Sequence, residues 1–226
     1  CDRVLSTSIG AFRYLPEEFK TAEMCNIAIK EWGTDIEFVP EDLKTQEMCE
    51  IAVSQGFGAS QALQYVPDKF KTYDICKIAL EENGYALKYV PEELKTEEIC
   101  KIAVKNYPRA LEHVPEKLKT KELCAIALKQ KGSTLEFVPE ELKTKELYEI
   151  VVSGNGYALI YIPEEFKTYE MCELAMQELE VRIPAGFTKN PGMQNFLENY
   201  IPEEFQEELA EKYDIDLPKK IVERGR

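Results

Sequence analysis

Along the chain the apolar residues gather in two kinds of block, each with helical spacing. The block Gly84-Tyr85-Ala86-Leu87-Lys88-Tyr89-Val90 carries apolar positions at helical intervals and ends at the residue before Pro91. A residue that precedes proline is pushed out of the α region, which predicts a short helix stopping there. Pro91 then opens a single turn, Glu92-Glu93-Leu94, with proline at a first helical position and acids near a helix start. Thr96 is a good N-cap, and Glu98 falls in the first turn of the helix that follows. That second helix carries Ile99, Cys100, Ile102, Ala103 and Val104, a broad apolar stripe. The apolar positions do not alternate, so a strand reading fails.

The same pattern returns along most of the chain. Prolines stand at Pro16, Pro40, Pro67, Pro91, Pro115, Pro139 and Pro163, spaced 24, 27, 24, 24, 24 and 24 residues apart. Five residues after them come Thr21, Thr45, Thr72, Thr96, Thr120, Thr144 and Thr168, and nine after them Cys25, Cys49, Cys76, Cys100, Cys124, Tyr148 and Cys172. Gly33, Gly84, Gly132 and Gly156 are expected to stop the second helices. A unit this small cannot bury its apolar face alone, so stacked neighbours must supply the core. The expected fold is all-α, an α-solenoid of about seven 24-residue helix-turn-helix repeats with a degenerate C-terminal capping unit. The repeat array is expected over 1–180, and an irregular connection and C-terminal cap over 181–226. Two departures stand out. Three extra residues fall around Gly56-Phe57-Gly58, and the pattern breaks at Ile183-Pro184 and Asn190-Pro191-Gly192. It half returns at Tyr200-Ile201-Pro202-Glu203-Glu204-Phe205, where Gln206-Glu207 replaces Lys-Thr and Glu207 to Tyr213 is expected as a polar closing helix.

The phrase Ala-Leu-Lys-Tyr-Val-Pro-Glu-Glu-Leu-Lys-Thr, followed by Cys-x-Ile-Ala-Val, resembles a family of short tandem repeats described as a domain of unknown function, found in bacteria, protists and large DNA viruses. The resemblance covers roughly residues 9 to 179. It implies a repeat module that is often part of a larger protein, and it implies no catalytic residue. The alternation of a full helix with a shorter one is also similar to leucine-rich variant repeats, an analogy of fold alone.

Charge narrows the range of partners. The chain has 42 acidic against 28 basic residues, a formal net charge of −14. Such a field repels phosphate backbones and anionic head groups, so nucleic acid and membrane surfaces are not the expected partners, and a neutral or basic protein or peptide is. No apolar run approaches the roughly 18–20 residues that span a bilayer. A start at Cys1 and an end without a stop signal are read as those of a fragment of a longer, monomeric protein.

Candidate chemistry is sparse. Six of the seven cysteines share one column, so neighbours lie about one repeat apart, roughly 10 Å for stacked helices. A disulfide needs Cα atoms within about 7 Å. These thiols are therefore expected as free, buried core residues in a reducing, cytoplasmic compartment, which could be that of a host cell. His113 is the only histidine and stands where other repeats have Tyr14, Phe38, Tyr65, Tyr89, Phe137 and Tyr161, an aromatic substitute. Most carboxylates recur at fixed offsets one, two and seven residues after the proline, as a solvated face does and a catalytic pair does not. No catalytic residue, cofactor site or metal site is expected. Lys20, Lys44, Lys71, Lys95, Lys119, Lys143 and Lys167 form a ladder that reads either as a basic rail for a polyanion or as partners of the acid three residues earlier. Charge favours the second. Exposed aromatics are enriched in binding hot spots, and Trp32, Phe57, Tyr73, Tyr107 and Tyr169 stand where other repeats are polar. They are the candidate partner-binding residues, with the edge around Trp32 and Phe57 preferred. The expected function is a protein-interaction scaffold. The alternative is the substrate-recruiting region of a multidomain enzyme whose catalytic domain lies elsewhere.

Overall fold

The computed structural model describes residues 11–55, 58–181 and 191–217. Among them there is no strand, and the fold is an all-α repeat solenoid. Each regular repeat has three parts, seen most clearly around Pro91. A six-residue 3-10 helix, Gly84–Tyr89, leads into Val90 and Pro91, both extended. A single 3-10 turn, Glu92–Leu94, follows, with Leu94 N–H donating to the Pro91 carbonyl at 3.0 Å. Then comes the ten-residue α-helix Glu97–Asn106. The short helix expected before the proline is thus a 3-10 helix in the regular repeats, while before Pro67 an α-helical turn, Ala59–Ala62, precedes the 3-10 turn Leu63–Tyr65. Six residues closed off by the proline leave little room for i to i−4 bonds, and the tighter turn suits short runs.

The α-helices of the array are α1 (Ala22–Glu31), α2 (Gln46–Val53), α3 (the four-residue Ala59–Ala62 after the insertion), α4 (Tyr73–Glu82), α5 (Glu97–Asn106), α6 (Lys121–Gln130), α7 (Lys145–Val152) and α8 (Tyr169–Val181), all but α3 being the longer helix of a repeat. All seven threonines cap as expected. Each hydroxyl accepts the N–H three residues on, from Met24 onto Thr21 at 3.3 Å to Met171 onto Thr168 at 3.4 Å. The core columns hold as well. The six cysteines from Cys25 to Cys172 in that column are free and fully buried, and Tyr148 takes the same buried place in α7. Desolvation pushes the Cys49, Cys76, Cys100 and Cys124 thiols up to about 11 and Cys172 up to about 12, the nearby ladder lysine opposing it in each case. Cys1 lies outside the described residues.

The glycines have a different task from the one expected. The helices do not end on a left-handed glycine. Helices α1, α4 and α5 end on an extended residue, Trp32, Asn83 or Tyr107, whose N–H returns to the helix, as from Tyr107 to the Ala103 carbonyl at 2.8 Å, while α2 and α7 end on Ser54 and Ser153. Glycine follows because the next repeat comes too close for a side chain. A Cβ on Gly84 would overlap the carbonyl oxygen of Ala103, and Gly33 and Gly156 meet Ala52 and Ala175 in the same way.

The chain forms two compact units, Cys1–Ala127 and Leu128–Arg226. In the second, Tyr148, Cys172, Met176, Phe196, Leu197 and Leu209 share one core. Here α9 (Pro191–Tyr200) and α10 (Glu203–Lys212) close the array. The closing helix starts at Glu203 and not at Glu207, because Gln206-Glu207 supplies no threonine cap and the turn after Pro202 continues straight into the helix. Ile183 and Pro184 lie outside the described residues.

Candidate interaction site

The lysine ladder is used up within the fold. Lys44 donates to Glu41 at 2.6 Å and to the Tyr65 carbonyl at 2.9 Å, with its side chain 4% exposed. Lys20 reaches the Phe38 carbonyl at 2.7 Å, Lys95 that of His113 at 3.1 Å and Lys167 that of Tyr200 at 3.2 Å. Lys71, Lys119 and Lys143 pair with Asp68, Glu116 and Glu140. Four rungs, Lys20, Lys44, Lys95 and Lys167, therefore join one repeat to the main chain of the next, and the basic-rail reading is overturned: largely buried ammonium groups held by a carbonyl or an acid present no stripe to a polyanion. The Lys167 bond also places Tyr200 in the aromatic column, which fixes the register of the degenerate unit. His113 is half-buried, its carbonyl serves the clasp, and burial holds its imidazole below the usual range. Among the described residues, no group of three or more His, Cys, Asp or Glu is placed to hold a metal ion.

The candidate aromatics divide. Trp32, the cap residue of α1, is 53% exposed. Tyr73, Tyr107 and Tyr169 were expected to be exposed and are half-buried. Each has a local partner: Tyr73 bonds Glu98, Tyr107 packs edge-on against Tyr85 at 5.7 Å, and Tyr169 against Phe205 at 5.8 Å. Among the described residues no ring contact joins any two of the candidates. Phe57 lies outside the described residues.

A feature that sequence reasoning passed over lies between neighbouring long helices. Lys77 of α4 pairs with Glu98 of α5 at 3.6 Å, and Lys101 of α5 with Glu122 of α6 at 2.8 Å. These residues stand ten after one proline and seven after the next. Between α7 and α8 the same two positions hold Glu149 and Glu170. Where Lys101 bridges, the groove between the helices is about 70 Å³. Between α7 and α8 it is about 460 Å³, lined by Glu149, Glu170 and Glu173 around Ile150, Met171 and Leu174. Ile150 is 40% exposed. The signal is a departure within a column, glutamate where two other repeats have lysine.

Taken together, the capped helices, shared core columns and inter-repeat clasps define a tandem all-α repeat protein. The model of the family described as Domain of unknown function (DUF4116) matches residues 45–95, 96–143 and 120–167, more than half of the chain, and the chain belongs to that family. The matches begin at Thr45, Thr96 and Thr120, all helix N-caps, and the last two overlap by one repeat, so the family unit is two repeats long. No curated protein and no solved structure matches the chain. Among the described residues no helix is long and apolar enough to cross a membrane.

Proposed function

We propose that the chain is a protein-interaction module with no catalytic chemistry of its own, presenting its long helices to a protein or peptide partner. The observation that carries this reading is a division of labour among columns. Threonine, lysine, cysteine and small residues recur and are consumed by caps, clasps and core. The positions that differ between repeats, such as Lys101 against Glu149, lie where neighbouring long helices meet solvent. Repeat proteins bind through surfaces of this kind. The net charge of −14 favours a neutral or basic partner.

Trp32, together with Phe57, belongs to the proposed contact surface, since an exposed tryptophan is the side chain most often found at the centre of an interface. The test is cross-linked capture from native cells, followed by purification of the complex. The reading expects a partner that co-elutes with the chain in fixed stoichiometry. A chain that always elutes alone overturns it. The double change Trp32→Ala with Phe57→Ala, scored for capture and for melting temperature, is expected to weaken capture while stability is kept.

A further inference from the structure

We propose that the groove between α7 and α8 docks a basic segment of a protein partner, one that sets an aliphatic side chain on Ile150 and Leu174 and a lysine or arginine between Glu149 and Glu170. The proposal rests on the interaction reading above and names the partner's chemistry at one place.

Three observations converge there. First, the groove has an apolar floor open to solvent, with Ile150 among the few large apolar side chains that are well exposed. Second, every charged side chain that lines it is acidic: Glu149, Glu170 and Glu173. Lys145 lies 3.6 Å from Glu149, and Lys212 pairs with Glu173, both outside the lining. Glu170 stays ionised, since its own N–H and the Thr168 hydroxyl hydrogen-bond the carboxylate and hold its pKa down. Third, the repeat shows what fills this position elsewhere. At α4–α5 and α5–α6 a lysine of the chain crosses to the glutamate of the next helix. Between α7 and α8 that lysine is missing, and a partner's cation has the same geometry to satisfy. Glutamate faces aspartate at Glu50 and Asp74 too, where Gln46 donates to Glu50 at 2.9 Å much as Lys145 pairs with Glu149; what the α7–α8 groove adds is an open apolar floor with Ile150 40% exposed.

A bound segment of this type would gain from apolar burial at the floor and from charge pairing at the rim, where pairing sets specificity more than affinity. The chain's own lysine can therefore be restored as a competitor. Glu149→Lys recreates the Lys101–Glu122 arrangement across the groove and closes it from within.

The probe is a fluorescein-labelled fourteen-residue amphipathic peptide of leucine and lysine, titrated by fluorescence anisotropy at physiological salt. Two further peptides, one of serine and lysine and one of leucine and glutamate, complete the set. Binding is expected for the leucine–lysine peptide alone. Glu149→Lys and, separately, Ile150→Ser are each expected to weaken it about tenfold or more, which is about 1.4 kcal/mol. Melting temperatures should be kept, and Glu93→Lys, the same charge change on an exposed turn, should leave binding intact. Equal binding of the serine–lysine peptide, or an unchanged affinity in Glu149→Lys, overturns the proposal. The interaction reading would survive that result if a captured partner cross-links elsewhere, and would fall only if no partner forms a complex.

Discussion

The ammonium of Lys44 donates to the main-chain carbonyl of Tyr65 at 2.9 Å, reaching from the turn of one repeat to the end of the short helix in the next. The bond does what a side chain–side chain pair could not: it satisfies a carbonyl left free where the short helix ends before proline, and it does so whatever side chain that position carries. Lys44→Met keeps the aliphatic stem and removes the charge. A buried acceptor left without its donor costs about 1–3 kcal/mol, so the urea midpoint should fall. Lys145→Met, on a half-exposed side chain paired at 3.6 Å, should change stability by about 0.5 kcal/mol or less. Equal effects of the two changes would show that the clasp contributes nothing.

The repeat length, the seven threonine caps and the cysteine column were legible because each rests on residues within one 24-residue unit and recurs. What lay between units was not. The acid partner of Lys95 is three residues away and could be read from spacing, while its second acceptor, the His113 carbonyl, belongs to the next repeat. Glycine after a helix reads as a stop or as a close approach, and only the nearness of Ala103 to Gly84 decides between them. The burial of Tyr107 depends on Tyr85, again from the preceding repeat. Glu149 was visible as a departure from lysine, but its consequence, an open groove, exists only once α7 and α8 are side by side.

Gly84 and Ala103 together test the close approach. Ala103 is fully buried, and its carbonyl lies where a Cβ on Gly84 would go. Gly84→Ala must therefore move main chain, and Ala103→Phe must displace neighbouring side chains. Each should cost about 1–3 kcal/mol, the usual range for overpacking. A melting temperature unchanged in both variants would mean that this column is not a contact.

The buried thiols make stability depend on alkaline pH. Their folded pKa lies near 11 for Cys49, Cys76, Cys100 and Cys124 against an ordinary value of 9.0. Between those values the unfolded chain has released the proton and the folded chain retains it. The unfolded state therefore binds fewer protons, and stability falls as pH rises from about 9 to about 11. Below pH 9 this contribution is fully present. The slope is roughly 1.4 kcal/mol per pH unit for each thiol once the unfolded form is ionised. Urea midpoints at pH 8 and pH 10.5 should diverge, and less so in a Cys76→Ala, Cys100→Ala double variant. A divergence of the same size in that variant would assign the alkaline loss to other groups. Thiol reagent at pH 8 should react slowly with the six column cysteines of the native chain, and should react with all seven cysteines once it is denatured.

Tyr148 is the one place where the cysteine column changes residue, and restoring the consensus there should do harm. The side chain is 1% exposed and packs edge-on against Phe166 with ring centroids 5.1 Å apart. Its repeat has also changed around it: Val151 stands where six other repeats have the buried alanine. A cysteine at this position would match the other repeats in sequence but leave the volume of a phenol ring unfilled. Large-to-small changes at aromatic core positions cost about 3–5 kcal/mol for truncation to alanine, and cysteine is only slightly larger. Tyr148→Cys should therefore lose roughly 2–4 kcal/mol, and Tyr148→Phe, which keeps the ring, should lose far less. A Tyr148→Cys variant as stable as the parent would show that each repeat accepts the consensus residue independently, and that the packing around Tyr148 is not specific to its own neighbours.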